Sequence, residues 1–182
     1  MMPSRDTSLN LLTKFIENEN LQHHSKMVAK AMEEYAKSLD KSDVEVDKWW
    51  TAGLLHDLDW EKYPDEHPKK AVEEILPEAG YPEDVISAIE AHAPDRTGKE
   101  PETEIERYLF ACDELSGFMN AVSLMRPNGF SDMKVKSVRK KLKDKRFAEN
   151  VPREDIQKGA KLIGKDLAEH IQFLIDSFKK LF

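Results

Sequence analysis

The stretch "GLLHDLDWEKYPDEHP", residues 53–68, decides how the chain is read. Leu54 and Leu55 run straight into His56-Asp57, Asp59 follows, and His67 closes the same short span. Side chains of this kind either lie on a solvated turn or converge on a charge. Upstream, Ser42 or Asp43 can cap a helix through Trp49, Trp50, Leu54 and Leu55. Neighbours on a regular helix point about 100° apart, so His56 and Asp57 can serve one centre only where the helix ends. The helix is therefore expected to stop at His56 or Asp57. Pro64 and Pro68 bracket an irregular turn, and Pro68 suits the first position of the next helix.

Outward from this stretch, apolar residues keep recurring at helical spacing. Leu11, Leu12, Phe15 and Ile16 share a face over about 9–19. A second helix over 21–39 carries Met27, Val28, Ala31, Met32 and Tyr35, with His24 at the margin of that stripe. After Pro68 come Ala71, Val72, Ile75 and Leu76, until "EAGYPED" (78–84) ends that helix and starts another at Pro82. There Val85, Ile86 and Ile89 face inward, which puts His92 on the same face. "PDRTGKEP" (94–101) reads as a loop. A long helix over 102–125 presents Ile105, Leu109 and Cys112, and Asp113 lies four residues after Leu109. Pro127-Asn128-Gly129 breaks the chain, and shorter helices are expected over 132–144, 153–163 and 166–181. Alternating strand patterns are scarce. The expected fold is all-α: one domain, with a core over about 20–125 and a helical C-terminal extension over 126–182.

Bulk composition agrees. The 182 residues suffice for one core and are short for two. A charged share of 35% suits amphipathic helices with solvated outer faces. The single cysteine, Cys112, rules out an intrachain disulfide and a cysteine-rich zinc site, and a reducing, cytoplasmic setting is expected. The first ten residues lack the apolar stretch of a signal peptide. No run approaches the roughly 18 apolar residues of a membrane span, so no membrane partner is expected. A net charge of -7 argues against electrostatic wrapping of nucleic acid.

His24, His56, His92 and Asp113 thus stand on or beside apolar faces, and Asp57 adjoins His56. Burying an uncompensated carboxylate is costly, and buried imidazoles need partners. A divalent cation answers both needs, with neutral nitrogen and hard oxygen ligands. An early His, an HD pair at a helix end and a later Asp in a long helix resemble the signature of the HD-domain superfamily of metal-dependent phosphohydrolases. The matching residues are His24 in "NLQHHSKMVAKAM" (20–32), His56-Asp57 in "AGLLHDLD" (52–59) and Asp113 in "FACDELSG" (110–117). His67-Pro68 and "AIEAHA" (88–93) look like further superfamily features. The chain resembles small HD hydrolases of bacteria and archaea.

That resemblance implies His24, His56, Asp57 and Asp113 on one metal. Dinuclear relatives add two histidines, and His67 and His92 fall in the right order for that role. The interval from Asp57 to His67 is shorter than in many of those relatives, so one ion and two both remain open. The ion itself could be manganese, iron, magnesium, nickel, cobalt or zinc.

The expected activity is hydrolysis of a phosphoester of a nucleotide or other small metabolite by a metal-activated water. Asp59 or His92 would accept or relay the proton. One alternative is a di-iron oxygenase of the HD fold, which needs His67 and His92. Another is a metal-stabilised nucleotide-binding module without turnover. Each residue also has a plainer reading: His23 could replace His24, His92 could be a core-edge histidine bonded to a carbonyl, and Asp59 a turn residue. His170 reads as surface or core-edge, and Trp49, Trp50 and Trp60 as packing. The basic stretch "DMKVKSVRKKLKDKR" (132–146) sets Lys136, Lys140 and Lys143 on one side; with Arg146 and Arg153 they could hold the substrate phosphate. The plainer reading is a solvated helix face.

Overall fold

A computed structural model describes residues 2–182. Among these there is no strand. The chain builds α1 (Arg5–Phe15), α2 (Glu19–Ser38) and α3 (Asp43–Leu55), then a π-helical turn (Ala71–Ile75) running into α4 (Leu76–Glu78). α5 (Glu83–Ala91), α6 (Pro94–Thr97) and α7 (Glu104–Leu124) follow, and α8 (Val135–Leu142), α9 (Arg153–Leu162) and α10 (Leu167–Lys179) complete the fold. The all-α expectation holds. No helix among the described residues is long and apolar enough to cross a membrane.

Local chemistry explains the boundaries. Ser4, Asn18, Ser42 and Asp166 each accept hydrogen bonds from the first free N–H groups of α1, α2, α3 and α10. Thr103 and Glu106 form a reciprocal capping box at the start of α7. The first helix sits about four residues earlier than its apolar pattern suggests. Ser4 can start it there, and Ile16 turns extended so that Asn18 can cap α2. Within the expected loop 94–101, Pro94 opens the short α6 and Gly98 closes it at φ 75°, a left-handed conformation that suits glycine. The π turn precedes Pro77, which has no N–H to return to Glu73.

One cluster of buried apolar side chains extends from Leu12 to Phe178. The long α2 lies between α3 and α7, and α5 packs on both α3 and α7. The closest approach is between α2 and α3. A Cβ at Gly53 would lie 2.8 Å from the Ala29 Cα and N and from the Val28 carbonyl oxygen. α2, α3, α5 and α7 are thus drawn together at one place, and each carries a candidate residue there or at its end.

His170 lies in the core, not at the surface or core edge. It is wholly buried, its Nε2 donates to the Ala111 carbonyl at 2.8 Å, and the Tyr35 hydroxyl donates to its Nδ1 at 2.6 Å. α10 turns this face onto α2, and the two partners satisfy the neutral ring. Burial pushes the imidazole down from 6.5 to about 4, with Lys165 adding to the effect. The unfolded chain therefore takes up a proton below 6.5 that the native ring refuses until about 4. Stability from this site is complete above that window and is lost as pH falls through it, by about 3 kcal/mol at most. Urea unfolding at stepped pH should show this decline, and His170→Gln should flatten it.

Candidate metal centre

His24 lies on the second turn of α2, and Asp113 in the middle of α7. His56 and Asp57 stand where α3 stops, and His92 ends α5 in the same way. His67 comes from the turn before the π segment. The stop after Leu55 frees Asp57 from the phase of α3, and this lets two consecutive residues face one point.

The distances define two overlapping sets. His24 Nε2 is 2.9 Å from Asp113 Oδ1 and 3.2 Å from His56 Nε2. His56 Nε2 is 3.2 Å from both Asp113 Oδ1 and Asp57 Oδ2. Donor atoms of His24, His56, Asp57 and Asp113 all lie within 4.8 Å of one another. The second set is Asp57, His67 and His92, within the same limit. Here Asp57 Oδ1 is 3.4 Å from His67 Nε2 and 3.6 Å from His92 Nε2. One carboxylate thus turns one oxygen to each set.

The donor chemistry fits a divalent cation. His56 Nδ1 donates to the Gly53 carbonyl at 2.8 Å, and His92 Nδ1 to the Ile89 carbonyl at 2.5 Å. His67 Nδ1 donates to Asp59 Oδ1 at 2.7 Å. In the neutral ring each of these bonds leaves Nε2 as a lone pair aimed at the centre, the tautomer a metal needs. Such lone pairs beside carboxylates repel one another unless positive charge lies among them. Burial would drive a proton off His56, yet Asp57 and Asp113 outweigh it and hold the imidazole well above its ordinary pKa. Burial would also raise Asp57 and Asp113, and the histidines pull both well below the usual carboxylate range. The cluster calls for a cation, and a proton on His56 stands in for one.

Among the sequence expectations, the geometry brings together His24, His56, Asp57, Asp113, His67 and His92. His23 is elsewhere: its Nε2 pairs with Asn120 at 3.3 Å and its ring lies against Phe182. Asp59 does not suit a base or a water holder. It is fully buried, and its oxygens accept from His67 Nδ1 and, at 2.8 Å, from the Ala71 N–H. Its place is behind His67, orienting the ring. His92, similarly, has Nδ1 engaged and Nε2 turned to Asp57, which suits a ligand better than a proton relay.

His24, Asp57, His67, His92 and Asp113 line a cavity of about 390 Å³, with His56 buried behind them. No lysine lines it. Val138 is buried and turns the exposed Lys136 and Lys140 of α8 to solvent, and Arg146 is exposed as well. Lys143 and Arg153 border an adjoining groove, but the Arg153 guanidinium is engaged by backbone carbonyls. The expected phosphate cluster Lys140, Lys143, Arg146 and Arg153 is therefore not assembled at the centre.

The cation that does line the cavity is Arg96, four residues after His92. Its Nη1 donates to the Pro64 carbonyl at 2.9 Å, and its guanidinium lies 5.0 Å over the Trp60 ring. Trp60 is thus a cavity wall, not only packing. Glu114 was also missed: burial, then Asp113, Asp155 and Asp57, push its carboxyl up to about 8. Adjacency to Asp113 is the one signal that could have singled it out.

A comparison with curated proteins gives no match, and neither does one with solved structures. The HD domain family matches residues 21–117, over half of the chain and a span that includes all six clustered residues. With its helical fold and its joined histidine–aspartate sets, the chain belongs to the HD domain family.

Proposed function

We propose that this protein hydrolyses phosphomonoesters of small metabolites with the help of one or two divalent ions. The observation that carries the reading is Asp57, set between two histidine groups at the wall of a polar cavity that also holds Arg96. Metal bound there would lower the pKa of a water and polarise a phosphoryl oxygen. The side chains do the rest. Asp57 and Asp113 hold negative charge at fixed points, and Asp59 keeps His67 in one tautomer. Arg96, backed by Trp60, offers its remaining N–H groups to a phosphate oxygen. Water attacks phosphorus, the P–O ester bond breaks, and its electron pair leaves with the alcohol oxygen. That oxygen takes a proton, so ester and water become alcohol and inorganic phosphate.

An open cavity beside the donor set favours an enzyme over a module with closed coordination. The six-residue arrangement is also what the di-iron oxygenase alternative requires; iron content and oxygen uptake separate the two. The test is metal analysis, then phosphate release from phosphorylated metabolites with manganese, cobalt or magnesium supplied. Turnover that needs added metal and stops with chelator is expected. Stoichiometric metal with no phosphate released from any ester would refute the reading.

A further inference from the structure

We propose that Asp95 and Glu114, together with Asn150, Pro152 and Asp155 from beyond the family match, form the wall that receives the leaving alcohol. We infer that this wall selects a small alcohol rich in hydrogen-bond donors over a nucleoside. The inference rests on the hydrolase reading above.

Two unlike groups of side chains line the cavity. One carries the histidines, Asp57, Asp113 and Arg96. The other presents Asp95, Glu114, Asn150 and Asp155. Among the described residues, the side chains of these four make no hydrogen bond or ion pair with the protein. Asp95 and Asp155 can only accept while ionised, so this side is complementary to hydroxyl or ammonium groups. Apart from the histidines, the one aromatic in the lining is Trp60, and Arg96 lies over its ring. Stacking a nucleobase calls for a free aromatic face, and the acidic side has none.

A second feature shows that this wall is held in shape. The Arg153 guanidinium donates to the carbonyls of Asp144, Phe147, Ala148 and Val151. It also lies 4.8 Å over Phe118 of α7, the helix that carries Asp113 and Glu114. Within the clamped segment Ala148 has φ 45°, a conformation L-residues rarely adopt and that neighbouring bonds must sustain. The clamp sets Asn150 and Pro152 against the cavity and starts α9, which brings in Asp155. Arg153 is thus a positioning residue for the wall.

The experiment compares kcat/KM of the manganese-loaded protein for glucose 6-phosphate, O-phosphoethanolamine, adenosine 5′-monophosphate and p-nitrophenyl phosphate. At least one of the first two should exceed the nucleotide by about tenfold or more. Which one leads tells whether hydroxyl or ammonium donors are served. Asp155→Leu and Asn150→Leu should lower that preference about tenfold, chiefly through KM. Arg153→Gln should raise KM for the preferred ester more than it lowers kcat. Asp155→Asn and Asn150→Ala carry the same test if a leucine variant fails to fold. A nucleotide turned over as well or better, or a preference unchanged in the wall variants, overturns the inference and leaves the hydrolase reading standing. Bound metal without phosphate release from any of the four esters removes both.

Discussion

Replacement of Asp57 by asparagine is expected to empty both halves of the centre, because one carboxylate faces each set. His24, His56 and Asp113 would keep their places, and so would His67 and His92, but the charge between them would be gone. Removal of partners behind a ligand costs about 10–100-fold in metal affinity, so loss of this shared ligand should cost at least about 100-fold. Phosphate release should fall below about 1% of the unaltered protein. His92→Ala makes the contrast, since it disturbs only the second set. Asp59→Asn should be graded, within the 10–100-fold range, because Asp59 acts through His67. Metal content by elemental analysis, calorimetric titration and circular dichroism of each variant check this. An Asp57→Asn protein that retains all its metal would contradict the geometry.

Gly53→Ala should destabilise the protein by about 3 kcal/mol, because the new methyl group would meet backbone that cannot swing aside. The obstructing atoms are the Ala29 Cα and N and the Val28 carbonyl oxygen, each 2.8 Å from the added carbon. α3 would have to move off α2. His56 would move with it, since its Nδ1 is anchored on the Gly53 carbonyl. Lower stability and weaker metal uptake should therefore appear together. Gly117→Ala is the control: its added carbon would lie 3.7 Å from His24 Cε1, an ordinary contact. The higher helix propensity of alanine should leave that variant as stable or up to about 1 kcal/mol more so. Urea unfolding of the three proteins measures both effects.

Much of this was legible before any coordinates. The placing of His24, Asp113 and His92 beside apolar stripes needed only the period of the helix. The stop at His56-Asp57 followed from the need for two neighbours to face one centre, and the structure ends α3 at Leu55. Where reading failed, the missing information was long-range. Apolar residues from Leu11 to Ile16 do not reveal that Ser4 starts the helix and Asn18 the next. The basic spacing of α8 is genuine, but whether that stripe meets solvent or a cavity depends on where Val138 docks. Arg153 carries a cation's charge, yet four carbonyls nearby in the chain occupy it. The neutral, buried state of His170 depends on Tyr35 and Ala111, which are distant in sequence.

The chain on its own determined an all-helical fold, the order of the candidate ligands and the face that each presents, because helical period and capping are local. Only the packing of α2, α3, α5 and α7 decided that Asp57 stands between two sets, that Asp59 supports His67, and that Arg96 and Glu114 line the cavity. Those facts depend on where helices cross and loops return, and such contacts are set by burial of the whole core rather than by any neighbouring residues.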